Sequence, residues 1–435
     1  MSDISYVRTE MLAEQDPPAT SVGAIGWMRA NLFSGAFNSI LTIVSLGLIY
    51  VVLSKILPWA FSPTWDATSL RECREIIAAA GGGGEHGGAC WGVIRDRWVQ
   101  LLFGFYPSEL YWRPILAFVL LGVALAPVLF ADHVPAKMMR FSMLYPFVMP
   151  WLLWGGSIWV PVGALLGFVI GYAVYSVVTN TMSGLLGIIT GVIAAVVWWM
   201  FLTGGFSSIL SGIAPLELDF VDSRSFGGMM LSLTIGVVAI GFSLPIGIVL
   251  ALGRQSDLLI VKALCVGFIE FIRGVPLITL LFVASTLLNI FMPPGTNFDI
   301  IMRVIIMATL FASAYMAEVI RGGLAALPTG QYEGADSLGL NYWQAQRLVI
   351  MPQALKISIP GIVSTFIGLF KDTTLVSVIG LLDPLGLSNA IRADAAWNGI
   401  VWELYGFIAL MFFVFCFGMS RYSMYLERKL QTGHK

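Results

Sequence analysis

The residues able to do chemistry are few. Glu270 and Arg273 lie three apart, one helical face, and Glu318 and Arg321 repeat that spacing. Lys371, Asp372, Thr373 and Thr374 form a polar run inside an otherwise apolar segment. A zwitterionic ligand needs a cation for its carboxylate and an anion for its ammonium. Arg273 or Lys371 would serve the first need, Glu270 or Asp372 the second. The alternative for each pair is a bridge that holds helices together. Three histidines (His86, His133, His434) stand far apart and four cysteines lack the paired spacing of a zinc site, so no metal centre is expected. No lysine follows a glycine, which removes the phosphate loop Gly-x-x-x-x-Gly-Lys-Ser/Thr. The patterns His-Glu-x-x-His, Cys-x-x-Cys and Gly-x-Ser-x-Gly are missing too. The chain is not expected to be an enzyme. Energy for uphill transport would come from an ion gradient or from another subunit.

Composition says what surrounds these residues. Of 435 residues, 58% are hydrophobic and 11% charged, with a mean hydropathy of +0.85. A soluble domain carries roughly 25% charged residues. That excludes a soluble enzyme and a disordered chain, and 24 basic against 25 acidic residues leave no field for nucleic acid. The expectation is an all-α polytopic protein embedded in a lipid bilayer.

A crossing takes about 20 apolar residues. Apolar segments fall at 36–57, 114–131, 141–216, 227–252, 260–291, 301–322, 357–381 and 401–422. The first begins too late and runs too long for a cleavable signal peptide, after a polar lead with Glu10, Glu14 and Asp16. Arg29, Lys137, Arg140, Arg254, Lys262 and the basic residues of 321–356 and 421–435 mark one side. The alternate connections are mixed or acidic: Glu217, Asp219, Asp222 and Arg224, then Asp299 and Arg303, then Asp383, Arg392 and Asp394. The basic side faces the cytoplasm, and both termini with it. The uncharged stretch 141–216 must then cross an odd number of times. Three crossings fill it, turning near Trp159-Val160-Pro161 and Thr179-Asn180-Thr181. The count is about ten helices, with eight as the alternative.

Two connections stand out. The insert 58–112 lies outside, with glycines at 81–84 and with Cys73 and Cys90 in the oxidising compartment. Those two are expected to form a disulfide, against the alternative of free thiols. Inside, the connection 323–356 is patterned: Tyr332, Ala335, Leu338 and Leu340 give an apolar face, with Gln331, Glu333 and Asp336 opposite. Gly339 should stop this helix and Pro352 should bar its continuation. Its acidic centre suits a protein groove better than a lipid surface.

Glu333-Gly334-Ala335, then Gly339, Val349 and Met351-Pro352, resemble the "EAA" loop of the membrane subunits of bacterial ABC importers. The stretches LSLTIG from Leu231, ALGRQS from Ala251, FIEFIRGVPLI from Phe268, AYMAEVIRGG from Ala314 and FKDTTLVSVIGLLDPL from Phe370 narrow the likeness. They are similar to permeases for polar amino acids, the histidine, glutamate, glutamine and arginine group. The likeness covers about 226–428. It divides the chain into an N-terminal extension, 1–225, with about five helices, and a permease module, 226–435. The extension is similar to that of the larger permease of general L-amino acid importers.

The resemblance implies a type I ABC importer core of five helices in the C-terminal half, translocating polar L-amino acids across the bacterial inner membrane. It also implies coupling through Glu333, Gly334, Ala335, Gly339 and Pro352. The implied partners are a second permease subunit, paralogous or identical, two ATP-binding cassette subunits that consume ATP, and a periplasmic amino-acid-binding protein. No cofactor is expected on this chain. The family's middle alanine is Gly334 here, at a helix cost of about 1 kcal/mol. The competing class is a stand-alone, ion-coupled secondary transporter, which often shows internal repeats; none is convincing between the two halves.

Overall fold

The computed structural model describes residues 22–61, 64–81, 87–291 and 298–431. The acidic lead (Glu10, Glu14, Asp16), Gly82, Gly83, Gly84, His86 and His434 lie outside the described residues. The chain divides into two units, Met1–Gly92 and Val93–Lys435. The boundary near 225 marks where the family likeness begins; compactness divides elsewhere.

The first unit holds α1 (Gly23–Asn31), α2 (Ala36–Phe61) and α3 (Leu70–Ala79). No residue of α2 is buried within the chain, as suits a helix sheathed by lipid. Ser69 caps α3 by accepting the Glu72 N–H. Cys73 and Cys90 are joined in a disulfide with Cα atoms 6.0 Å apart. The expected bridge is present.

The second unit opens with α4 (Gly92–Phe103), α5 (Trp112–Leu129), α6 (Met139–Trp154) and α7 (Trp159–Thr181). Then α8 (Gly184–Val197) continues through a π turn at 198–202 into α9 (Thr203–Ile213). The uncharged stretch is therefore three helical pieces, as expected, but it turns at 155–158 and 182–183; the expected turn residues 159–161 and 179–181 are instead the first and last turns of α7. Strand β1 (Gly156–Ser157) pairs antiparallel with β2 (Glu217–Leu218). Gly163, Gly167 and Gly171 of α7 are buried against α8 and α9. A Cβ on Gly171 would stand 3.0 Å from both the Ala195 Cβ and the Gly191 carbonyl oxygen. This spacing of small residues lets two helices pack closely where no hydrophobic effect drives them together.

The remaining helices are α10 (Gly228–Gln255), α11 (Leu259–Gly274), α12 (Leu277–Phe291), α13 (Ile300–Ala325), α14 (Thr329–Ser337), α15 (Tyr342–Ala345), α16 (Met351–Asp372), α17 (Pro384–Ala393) and α18 (Trp402–Gln431). One core joins the extension to this module: Ala117, Leu121, Tyr145 and Leu153 of α5 and α6 pack in the same cluster as Leu231, Ile235, Val304 and Ala308. Arg113, almost fully buried, donates to the Asp219 carbonyl at 2.6 Å and pins the segment after β2 to the start of α5.

Among the described residues, eight helices are long and apolar enough to cross a membrane, and a bent pair makes a ninth. That pair is α11 and α12, which meet at 101° around Gly274 and Pro276. A proline there cannot donate to the preceding turn, and the chain breaks. The tenth expected segment is α6, whose 16 residues reach about 24 Å, short of a roughly 30 Å hydrocarbon core. Eight straight spans, or nine with the bent pair, thus stand where about ten crossings were expected. The eight straight ones equal the alternative count.

Candidate coupling loop and translocation path

Helix α14 starts after Pro328 and ends in a left-handed turn. The Leu340 N–H bonds the Ala335 carbonyl and the Gly339 N–H bonds that of Asp336, with Gly339 at φ +70°. This 6→1 and 5→2 pair needs a residue free to adopt positive φ, which is why Gly339 stands there. Asn341 then caps α15 in a reciprocal box with Gln344.

Ala335 is buried, and Tyr332 packs on a cluster that includes Ala251, Ile269, Met316, Ala317 and Ile320. That burial pushes the Tyr332 hydroxyl above its ordinary pKa. Gln353 donates to Gln331 at 2.8 Å, tying α14 to the start of α16. Glu333, Gly334, Ser337 and Leu338 face outward. Leu338 is 77% exposed, so the expected four-residue apolar face loses Leu338, while Ala335 is buried and Tyr332 and Leu340 are half-buried.

Pro352 also departs from expectation. The helix runs on from Tyr342 to Ile379 with Pro352 inside it. A π turn at 346–350 precedes it, in which the Met351 N–H bonds the Gln346 carbonyl five residues back. The widened turn makes room for a ring that would otherwise clash with the preceding turn.

Glu270 and Arg273 do not pair with each other. Glu270 accepts from Arg254 at 3.0 Å, and Arg273 lies 3.6 Å from the Glu318 carboxylate with its guanidinium 5.5 Å above the Tyr315 ring. Glu318 also accepts from Arg254 at 2.6 Å and from Arg321 at 3.1 Å. The two sequence-level pairs are one network on α10, α11 and α13. Arg254, Glu318 and Arg321 stand at the ends of α10 and α13 nearest α14. Glu270 and Arg273 of α11 therefore meet the ends of α10 and α13 rather than each other.

Lys371 and Asp372 end α16, and a 3-10 turn, 373–379, follows. Lys371 is exposed, whereas Asp372 and Thr373 line a small pocket otherwise made by Ile235, Leu277, Leu281, Val304 and Ala308, among others. The two neighbours diverge, as adjacent helical residues must. Thr373 and Thr374 donate to the carbonyls of Phe370 and Lys371 at 2.8 and 2.9 Å, so their hydroxyl oxygens offer acceptor capacity. A carboxylate set in an apolar wall can meet an ammonium group or a bound water.

Sequence reasoning missed the opposite end of the module. Asp383 is fully buried and caps α17 by accepting from Leu385 and Gly386. Burial pushes its carboxyl up to about 6, although both backbone bonds pull it down. The Asp-Pro-x-Gly order is an N-cap followed by proline at the first helical position, and it was readable. Asp96 and Arg97 of α4 meet Trp397 and Asp394 there, and no local signal announced that. Among the described residues, no group of three or more His, Cys, Asp or Glu could hold a metal ion.

A helical membrane bundle with no nucleotide loop, bearing a short helix anchored to its own core and presenting a polar outer face, has the layout of an ABC transporter's membrane subunit. Residues 243–432 match the family described as binding-protein-dependent transport system inner membrane component. The chain is 58% identical to the glutamate/glutamine/aspartate/asparagine transport system permease protein BztC of Rhodobacter capsulatus over the full length of both. It is 39% identical to the inner membrane amino-acid ABC transporter permease protein YhdY of Escherichia coli, over 98% of this chain and 99% of that one. A solved amino acid ABC transporter with histidines aligns with 46% of this chain and 91% of its own, at 32% identity and a TM-score of 0.42. The chain belongs to the amino-acid ABC transporter permeases.

Proposed function

We propose that this chain is the permease subunit of an ATP-driven importer that carries polar L-amino acids, with glutamate, glutamine, aspartate and asparagine as the first substrates to test. It sits in the bacterial inner membrane with both termini cytoplasmic. It works with a second permease, two ATP-binding cassette subunits that hydrolyse the ATP, and a periplasmic binding protein. The full-length likeness to BztC supports the substrate class.

The observation that carries the reading is the seating of α14. Tyr332 and Ala335 fasten one face to the bundle while Glu333, Gly334 and Ser337 are offered to a partner. A short helix held this way moves as a body, so closure of the ATPase dimer shifts the helices beneath it and alternates access to the pocket at Asp372. A stand-alone secondary transporter has no use for such a face. Uptake of radiolabelled L-glutamine and L-glutamate into cells expressing the full transporter tests the reading. Glu333→Lys should abolish uptake while the protein still reaches the membrane; normal uptake with a full complement of ATPase bound would exclude coupling through this loop.

A further inference from the structure

Glu318 has no role in the import cycle described so far, yet it ties three helices together. Its side chain is 16% exposed and meets three guanidinium groups: Arg254 of α10, Arg273 of α11 and Arg321 of its own helix, α13. Partly buried charges of this kind are screened less by solvent and salt than surface pairs, so the contacts persist through thermal motion better than an exposed bridge.

The position of the node matters more than its strength. Helix α13 leads, through 326–328, directly into α14. The buried cluster against which Tyr332 packs includes Ile269, Ala317 and Ile320, each next in sequence to a member of the network. On the far side, α11 ends one residue after Arg273, the chain turns by 101°, and α12 begins with Leu277, a wall of the Asp372 pocket. Three helices, α10, α11 and α13, meet at one carboxylate, and α13 leads on into α14.

We propose that Glu318 is the positioning residue that transmits displacement of α13 and α14 to α11, and through the break at 275–276 to the pocket wall. The inference rests on the coupling-loop reading above. Removing the charge at Glu318 leaves the Arg254–Glu270 bridge between α10 and α11 intact, so the bundle keeps that tie while α13 loses its grip on Arg273. A direct measurement of coupling tests this role.

The measurement is amino-acid uptake per ATP hydrolysed, using the assembled transporter in proteoliposomes with its binding protein and radiolabelled L-glutamine. For Glu318→Gln, the expected result is ATP hydrolysis within about twofold of wild type and uptake per ATP at least about tenfold lower. Glu318→Asp should recover part of the lost coupling. An unchanged ratio, or equal falls in hydrolysis and uptake, overturns the proposal. If Glu318→Gln does not assemble, Arg273→Gln, which removes one arm only, is read by the same ratio. Failure of both to assemble makes the network bundle glue and also overturns it. Glu333→Lys is measured alongside. Normal import by that variant defeats the coupling-loop reading itself, whereas loss of import there with a coupled Glu318→Gln defeats this inference alone.

Discussion

Trp397 donates its indole N–H to the Asp96 carboxylate at 2.8 Å across 301 positions of sequence. Beside it, Arg97 meets Asp394 at 2.9 Å, and backbone bridges join Gly104 to Phe226 and Gly227 to Leu382. The last helix of the insert is thereby part of the end of the module that carries α17. Trp397 is fully buried, so its N–H has no water to fall back on. Trp397→Phe should cost about 1 kcal/mol and lower the melting temperature of the solubilised protein. Asp96→Ala should cost a similar amount, and the double variant less than the sum, because both remove one contact. A fully additive double variant would mean that the two residues act separately.

The Cys73–Cys90 bridge closes a loop with a sequence separation of 17. Reducing it, or replacing Cys73 with Ser, should destabilise the first unit by about 3 kcal/mol in the chain-entropy account. Alkylation of intact cells with and without prior reduction checks the bond. Equal labelling in both conditions would count against it.

Gly334 has open space where a Cβ would stand. Gly334→Ala should therefore be tolerated, favour α14 by up to about 1 kcal/mol, and leave uptake near wild type. Gly339, at φ +70°, should behave in the opposite way: Gly339→Ala strains the turn by about 1 kcal/mol, and Gly339→Pro should remove uptake. Uptake scored per assembled complex separates the two positions. Equal tolerance at both would mean that the turn geometry is unimportant.

Asp372 faces the pocket and Lys371 does not. Asp372→Asn should lower uptake per assembled complex by about tenfold, corresponding to about 1.4 kcal/mol of lost interaction with substrate or its gate. Lys371→Met, on the other side of the helix, should lower it less. If both variants transport at the wild-type rate once assembly is accounted for, this segment is bundle support and the path runs elsewhere.

Asp383 holds its proton more tightly in the folded protein, at about 6, than its ordinary 3.8. The stability this contributes is full below about pH 3.8 and is lost as pH rises through about 6. Asn keeps the cap without a charge, so Asp383→Asn should remove that dependence. Melting curves for both proteins between pH 4 and 7 should diverge, with wild type losing ground to the variant as pH rises. Parallel curves would show that the carboxyl titrates normally.

Much of this protein was decided by sequence alone. Hydrophobicity over about 20 residues is a local property, and so the apolar segments, the three pieces of 141–216 and the break at Gly274 and Pro276 were readable. Gly339 was readable as a helix stop for the same reason. The proposed coupling loop was legible from Glu333, Gly334 and Ala335 because its pattern lies in consecutive residues. What tertiary structure decided depends on which helix ends meet. Glu270 and Arg273 share a helical face, and nothing local says that Arg254 and Glu318 outcompete each for the other. Leu338 belongs to an apolar pattern, yet the way α14 seats turns it outward. Pro352 stops a helix in isolation, whereas here a π turn absorbs it. The Asp96–Trp397 contact lies beyond any periodicity, since a side chain's partner across hundreds of residues is chosen by packing and not by propensity.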